Sequence, residues 1–256
     1  MTKLLPKVAF FDFAGCEGCQ LTVLDALQTH PELLTAVTFV EFREAMSEKA
    51  DSYDIAFVEG SCTREGDEAR LQRIRDRSNI VVALGACAHI GGVNAMRNIY
   101  VMDDLNRVVY GDSCDHIDAQ HTRSISEVIQ IDAFIPGCPI DRDEFVQAVK
   151  ALCMGRMPVI PDYPVCLECK LKENTCLLQQ GKPCLGPITR AGCGALCPSL
   201  GVGCEGCRGT VPNPNLESLE SIFLNKQCTA IDLHSYMNLF LTHSLVFKEG
   251  TDNGRG

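Results

Sequence analysis

Eight of the 16 cysteines in this 256-residue chain fall within the 42 residues from Cys166 to Cys207, and no histidine lies among them. They stand at Cys166, Cys169, Cys176, Cys184, Cys193, Cys197, Cys204 and Cys207. Eight thiols is the ligand count of two tetra-cysteine metal sites. The tract around them is rich in Gly and Pro and has no long apolar run. Burial of a core is too little to order it, so its order must come largely from cross-links or metal.

The compartment decides between those two. The first residues, MTKLLPKVAFFDF, run straight into a strand-like segment, with neither a secretory h-region nor a twin-arginine leader. A cytoplasmic location is therefore expected, where thiols stay reduced and cysteine-rich tracts serve metal or redox clusters more often than disulfides. No stretch of about 18 uncharged apolar residues exists to cross a membrane. A net charge of −10 with no basic stretch to offset it argues against a nucleic-acid partner. The absence of tryptophan argues against an aromatic stacking surface for single strands.

Up to about residue 160 the pattern alternates buried strands with helices. KVAFFDF (7–13), AVTFVEF (36–42), DIAFVE (54–59), NIVVALG (79–85) and IDAFIPG (131–137) are short runs rich in Val, Ile and Phe, as strands covered on both faces require. Between them Leu21, Leu24 and Leu27 share one helical face, and Leu71 and Ile74 follow a charged start at 65–67. Asp141 with Glu144 forms a capping signature ahead of Phe145, Val146, Val149 and Leu152. This β-α-β-α order predicts an α/β fold with a doubly wound parallel sheet over residues 1–160. Beyond Pro158, Pro161 and Pro164 the pattern changes, and 161–256 is expected to be a separate cysteine-rich domain. Residues 165–215 read as coil around metal. Two helices are expected near Leu216–Phe223 and Ile231–Leu245, followed by a disordered polar tail, Lys248–Gly256.

In an open α/β sheet, ligands bind where loops leave the carboxyl ends of the strands. Cys16 and Cys19 follow the first expected strand, Glu59 and Cys62 the third, Cys87 the fourth and Cys138 the fifth. All fall on one sheet edge, so the four thiols Cys16, Cys19, Cys87 and Cys138 are expected to meet there. Neighbouring glycines would let backbone amides point at sulfur, which raises the potential of an iron–sulfur cluster. Buried cysteines acting only as small apolar groups are the plain alternative for any one of them. Zinc is the alternative metal, although zinc sites usually gather ligands from knuckles close in sequence.

Taken together, GCEGC (15–19), EGS (59–61), GAC (85–87) and PGCP (136–139), followed by the cysteine-dense tail, resemble the small subunit of a nickel–iron hydrogenase over roughly residues 8–210. That resemblance implies a flavodoxin-like first domain and three iron–sulfur clusters. A proximal 4Fe–4S cluster would be held by Cys16, Cys19, Cys87 and Cys138, and a medial one by Cys193, Cys197, Cys204 and Cys207. A distal one would be held by Cys166, Cys169, Cys176 and Cys184. Many exported members have histidine where this chain has Cys166, and proline where it has Cys197. Those departures, with CLECKxKxxxC and CGALCPxxGxxCxGC, are similar to the cytoplasmic, viologen-reducing type, and the extra thiol at Cys197 implies a medial 4Fe–4S cluster.

The same resemblance implies a role as an electron-transfer subunit with no catalytic residue of its own. The nickel–iron centre would lie in a partner large subunit, and a further electron-accepting subunit would be flavin-bearing, ferredoxin-like or linked to a disulfide reductase. Glu59 is expected as a carboxylate beside the proximal cluster rather than a catalytic acid. His89 would be near that cluster or an ordinary structural histidine. Cys153 reads as core, Cys62 as a neighbour of the proximal loops, and Cys114 and Cys228 match no pattern. The competing readings are a complex-I-like electron-transfer subunit and a zinc-stabilised binding module.

Overall fold

The computed structural model describes residues 5–225 and 233–242. Cys228, the polar tail and both ends of the helix expected over 231–245 lie outside those residues. The chain divides into two units, Met1–Val159 and Ile160–Gly256.

In the first unit, β1 (Lys7–Asp12), β2 (Thr38–Phe42), β3 (Tyr53–Glu59), β4 (Ser78–Leu84) and β5 (Ala133–Ile135) form one sheet in the order β2-β1-β3-β4-β5. Every pairing is parallel, and the order is the flavodoxin-like one. Each strand expected from the apolar runs is present. The two-residue alternation sends Val8, Phe10, Phe57, Val82 and Leu84 into one core layer and Ala9, Phe11, Ala56, Val58, Val81 and Ala83 into the other. The first layer is closed by α1 (Gly18–Thr29) and α6 (Arg142–Cys153), and the second receives Leu71 and Ile74 of α3 (Asp67–Asp76). Asp141 caps α6 by accepting the Glu144 amide at 2.9 Å. A single turn, α2 (Leu33–Ala36), leads into β2.

Two features differ from expectation. The buried face of α1 is Cys19, Gln20, Val23 and Ala26, while Leu21 is 55% exposed and Leu24 and Leu27 only flank the core. The helix starts at Gly18, so turning Cys19 inward makes Val23 and Ala26 its companions one and two turns on. Between β4 and β5 the chain also forms α4 (Gly85–Ile90), a 3-10 stretch Gly92–Ile99, and α5 (Met102–Tyr110), which buries none of its residues.

In the second unit the tract expected to be coil contains α7 (Val165–Leu171) and the single turn α8 (Leu196–Ser199). Of α7 only Val165 is buried, and Leu167 and Leu171 are 47% and 77% exposed. With no apolar stripe facing a core, its periodicity does not read as a helix. Two further helices, α9 (Leu216–Asn225) and α10 (Leu233–Met237), bury Leu219 and Phe223, and Leu233 and Met237. Among the described residues no helix is long and apolar enough to cross a membrane.

The Phe10 ring is 2% exposed and stacks on Phe42 at 4.4 Å and on Phe57 at 4.9 Å. Phe10→Ala is expected to cost about 3–5 kcal/mol, read as a lower chemical-denaturation midpoint. Cys62 lies in the second core layer at 1% exposure, and burial, then the Asp67 carboxylate, pushes its thiol up to about 12 from 9.0. Between those values the unfolded chain releases a proton that the folded chain keeps. Its contribution to stability is therefore complete below pH 9 and falls as pH rises toward 12, by at most about 1.4 kcal/mol per pH unit. Denaturation midpoints measured across that window should flatten in Cys62→Ala relative to wild type.

Candidate functional site

The parallel sheet delivers its loops to one edge. β1 runs on to Cys16 and Cys19, β4 opens into α4 with Cys87 in its first turn, and β5 leads to Cys138. Cys16 and Cys138 are exposed, Cys87 is half-buried and Cys19 is buried. The Phe13 amide bonds the Glu59 carbonyl at 2.8 Å, and Ala14 and Ser61 exchange backbone bonds at 3.2 and 2.9 Å. Asn94 braces the same turn through Nδ2, which donates to the Ala14 carbonyl at 2.8 Å and to Ser61 Oγ at 2.9 Å. On the far side the Ala86 amide donates to the Gly137 carbonyl at 2.7 Å, tying the Cys87 and Cys138 loops together.

Glu59 sets the start of α1. The residue preceding that helix, Glu17, sits in the left-handed region at φ 62 and offers no side-chain cap. The cap comes instead from β3: Glu59 Oε1 accepts the Cys19 amide at 3.0 Å and Oε2 the Gln20 amide at 2.9 Å. Glu59 is 4% exposed, so burial raises its carboxyl above the usual range while those two amides oppose the rise.

Burial and neighbouring charges disfavour the thiolate at Cys19, Cys87 and Cys138. Burial pushes Cys87 up to about 12, with the neighbouring Cys138, Cys16 and Glu59 adding to it. Burial and then Glu59 raise Cys19, and burial, Cys16 and Glu59 raise Cys138. Cys16, Cys19, Cys87, Cys138 and Glu59 are thus mutual neighbours at the sheet edge. Gly85 makes the approach possible. Its φ is +84, and a Cβ on it would run into the Cys19 sulfur. Four thiols around a glycine-lined hollow suit an iron–sulfur core, whose positive charge would reverse this repulsion.

In the second unit burial pushes Cys166 up to about 11, followed by Cys184, Cys169 and Cys176, so these four stand together. A Cβ on Gly186 would lie 3.4 Å from both the Cys166 and the Cys184 sulfur. Burial also raises Cys184, opposed by the backbone amides of Cys204 and Gly186. The Asn174 amide donates to the Cys169 sulfur at 3.7 Å and to Ser199 Oγ at 2.9 Å. The remaining thiols stand as Cys193 with Cys197, and Cys204 with Cys207. Burial raises both Cys197 and Cys204, and the Thr189 hydroxyl and Gly206 amide oppose the rise at Cys204. Tyr236 of α10 neighbours Cys184, Cys204 and Cys197 alike. Glu168 joins α7 to the Cys193 loop by accepting the Gly192 amide at 2.8 Å and the Ala195 amide at 3.1 Å.

Among the described residues no three His, Cys, Asp or Glu side chains converge as a site for a single ion would require. A cubane sets its thiolates farther apart, because each binds a different iron. The other expected residues separate from these sets. The Cys62 thiol belongs to the second core layer, and its backbone pairs with Arg123. Cys153 packs half-buried against the first layer, and Cys114 lies in the 3-10 stretch Gly111–His116. The His89 ring stacks on Phe134 at 3.8 Å. Sequence reasoning missed Asn94, Glu168, Asn174 and Tyr236. Asn94, Glu168 and Tyr236 act through partners distant in sequence, so no local motif marks them, and Asn174 bonds both nearby Cys169 and distant Ser199.

A family profile described as NADH ubiquinone oxidoreductase, 20 Kd subunit, matches residues 16–152, just over half of the chain. Sulfhydrogenase 2 subunit delta of Pyrococcus furiosus is 38% identical over 215 residues, covering 83% of this chain and 90% of that protein. A vhu subunit of the F420-non-reducing hydrogenase of Methanocaldococcus jannaschii is 35% identical over 243 residues, covering 82% of this chain and 83% of its own. Among solved structures, an NAD+-reducing NiFe hydrogenase in its H2-reduced state aligns with a TM-score of 0.55 at 27% identity, over 61% of this chain and 96% of that one. With the sheet order and the strand-end cysteines, these likenesses establish that the chain belongs to the NADH-ubiquinone oxidoreductase 20 kDa subunit family, and within it to the iron–sulfur small subunits of nickel–iron hydrogenases.

Proposed function

We propose that this chain holds three 4Fe–4S clusters and carries electrons between the nickel–iron site of its large subunit and a further redox partner. As a hydrogenase small subunit it carries iron–sulfur clusters and works beside a large subunit that holds the nickel–iron centre. The finer reading rests on one observation above the rest. Cys16, Cys19, Cys87 and Cys138 come from three separate loops, yet Cys138 and Cys16 raise the cost of charging Cys87, Cys87 and Cys138 that of Cys19, and Cys16 that of Cys138. A set of thiols that disfavour one another's charge, with a buried carboxylate beside it, has reason to persist when a cationic core binds there.

Each set has its own supports. Cys16, Cys19, Cys87 and Cys138 would hold the proximal cluster, with Glu59 fixing Cys19 through its amide. Cys193, Cys197, Cys204 and Cys207 would hold the medial one. Cys166, Cys169, Cys176 and Cys184 would hold the distal one, with amide donors on the sulfurs of Cys169 and Cys184. Such donors stabilise the more negative, reduced state and raise the potential. When bound, the clusters supply one-electron transfer at low potential. Electrons would enter at the sheet edge, pass the Cys193–Cys207 set and leave from the Cys166–Cys184 set. A cytoplasmic complex with a flavin-bearing, ferredoxin-like or disulfide-reductase-linked acceptor fits the cysteine pattern, and one solved relative is itself an NAD+-reducing enzyme.

Elemental analysis of the anaerobically purified complex tests the count. Beyond the iron of the nickel–iron centre and any clusters of the other subunits, about 12 iron atoms and 12 acid-labile sulfides per small subunit, with no zinc, are expected. Zinc without sulfide would sink the proposal. Cys197→Pro should leave about 11 irons and convert the medial cluster to a 3Fe–4S form. That form would be visible by EPR in the oxidised protein, and an unchanged iron count would remove Cys197 from the ligand set.

A further inference from the structure

The two cysteine sets of the second unit meet at Cys184 and Cys204. The Cys204 amide donates to the Cys184 sulfur at 3.2 Å, and the Leu185 amide returns a bond to the Cys204 carbonyl at 2.7 Å. A backbone group from one set is thereby hydrogen-bonded to a ligating sulfur of the other. We propose that this Cys204–Cys184 contact is the crossing point for electrons between the medial and distal clusters, and that Gly203 is the residue that keeps it closed. The inference rests on the cluster assignment proposed above and adds to it the route and the residue that controls it.

The role of Gly203 is steric. A Cβ there would overlap the Pro183 carbonyl oxygen and lie 2.8 Å from the Tyr236 hydroxyl. The carbonyl is backbone and cannot swing aside, so any side chain at position 203 must drive the 203–204 segment away from 183–184. The alternative connections are poorer. The Asn174 route needs two hydrogen bonds, its contact with the Cys169 sulfur is 3.7 Å, and it ends at Ser199 rather than at a cysteine. The Glu168 bridge reaches Gly192 and Ala195 without touching any sulfur. The Cys204–Cys184 bond runs from ligand to ligand in one step.

The transfer itself is balanced within the pair. One electron leaves the cluster held by Cys193, Cys197, Cys204 and Cys207, which is oxidised by one. It arrives at the cluster held by Cys166, Cys169, Cys176 and Cys184, which is reduced by one. No covalent bond changes, and the amide hydrogen stays on Cys204. The same hydrogen bond favours the reduced state of the Cys184 cluster, so closing the contact also sets that cluster's potential.

The test compares wild type with Gly203→Ala in the assembled hydrogenase complex, by metal analysis, EPR of the fully reduced protein and EPR-monitored redox titration. Wild type should show magnetic interaction between the two clusters. Gly203→Ala with wild-type iron content should lose much of that interaction, and the Cys184 cluster should titrate at a more negative potential. A fully loaded Gly203→Ala whose interaction and potential both match wild type overturns the proposal. Should that variant fail to load, wild type decides: no magnetic interaction between its reduced clusters overturns the proposal as surely. A wild-type complex lacking iron and sulfide would instead reject the cluster assignment.

Discussion

The Glu59 carboxylate accepts the amides of Cys19 and Gln20, and this pair of bonds ties the carboxyl end of β3 to the first turn of α1. The rest of the sheet edge follows from it. α1 has no side-chain cap of its own, because Glu17 is turned into the left-handed region. Without Glu59 the first amides of α1 would be buried unpaired, at a cost of about 1–3 kcal/mol each. Burying the carboxylate is itself unfavourable, as its raised pKa records, and the two amides offset that burden. The Asp12 carboxylate secures the other side of the same loop, where Arg43 and Arg70 pair with it at 2.8 and 3.3 Å. Cys16 and Cys19 are therefore held from both flanks before any metal arrives.

The second unit repeats the device with a different acid. Glu168 on α7 accepts the amides of Gly192 and Ala195 and so joins the helix bearing Cys166 and Cys169 to the loop bearing Cys193. Here the bond replaces packing, since α7 buries only Val165 and α8 only Pro198. A tract with so little apolar surface draws its order from such polar clamps and from metal.

Much of this was legible from residues alone. Strands buried on both faces must be apolar at every position, and that writes the Val, Ile and Phe runs of β1, β3 and β4 plainly into the sequence. Once the sheet is parallel, the placement of Cys16, Cys87 and Cys138 on one edge follows. What could not be read has separate causes. α5 turns Val108, Val109 and Tyr110 to solvent, so its apolar residues mark no core face. α7 exposes its leucines in the same way. The Leu21 stripe misled because the demand that Cys19 face inward outweighs hydrophobicity at the start of α1. Glu168 and Tyr236 find their partners across 20 residues or more, a distance no local pattern spans.

The thiol electrostatics connect these polar clamps to cluster binding. Burial holds Cys87, Cys138, Cys166, Cys184, Cys197 and Cys204 toward the neutral form. Yet the amides of Cys204 and Gly186 point at the Cys184 sulfur, and the Thr189 hydroxyl and Gly206 amide favour charge at Cys204. A neutral thiol has little use for such donors, whereas a thiolate does. The backbone is thus arranged for the charged state while burial disfavours it, and only a cationic core satisfies both. Loading of a cluster on these thiols would expel their protons, turn repulsion into shared attraction and leave the donors in place to tune its potential. The hydrogen bonds that would favour binding of a cluster at Cys184 and Cys204 are the same ones that would set its electron affinity.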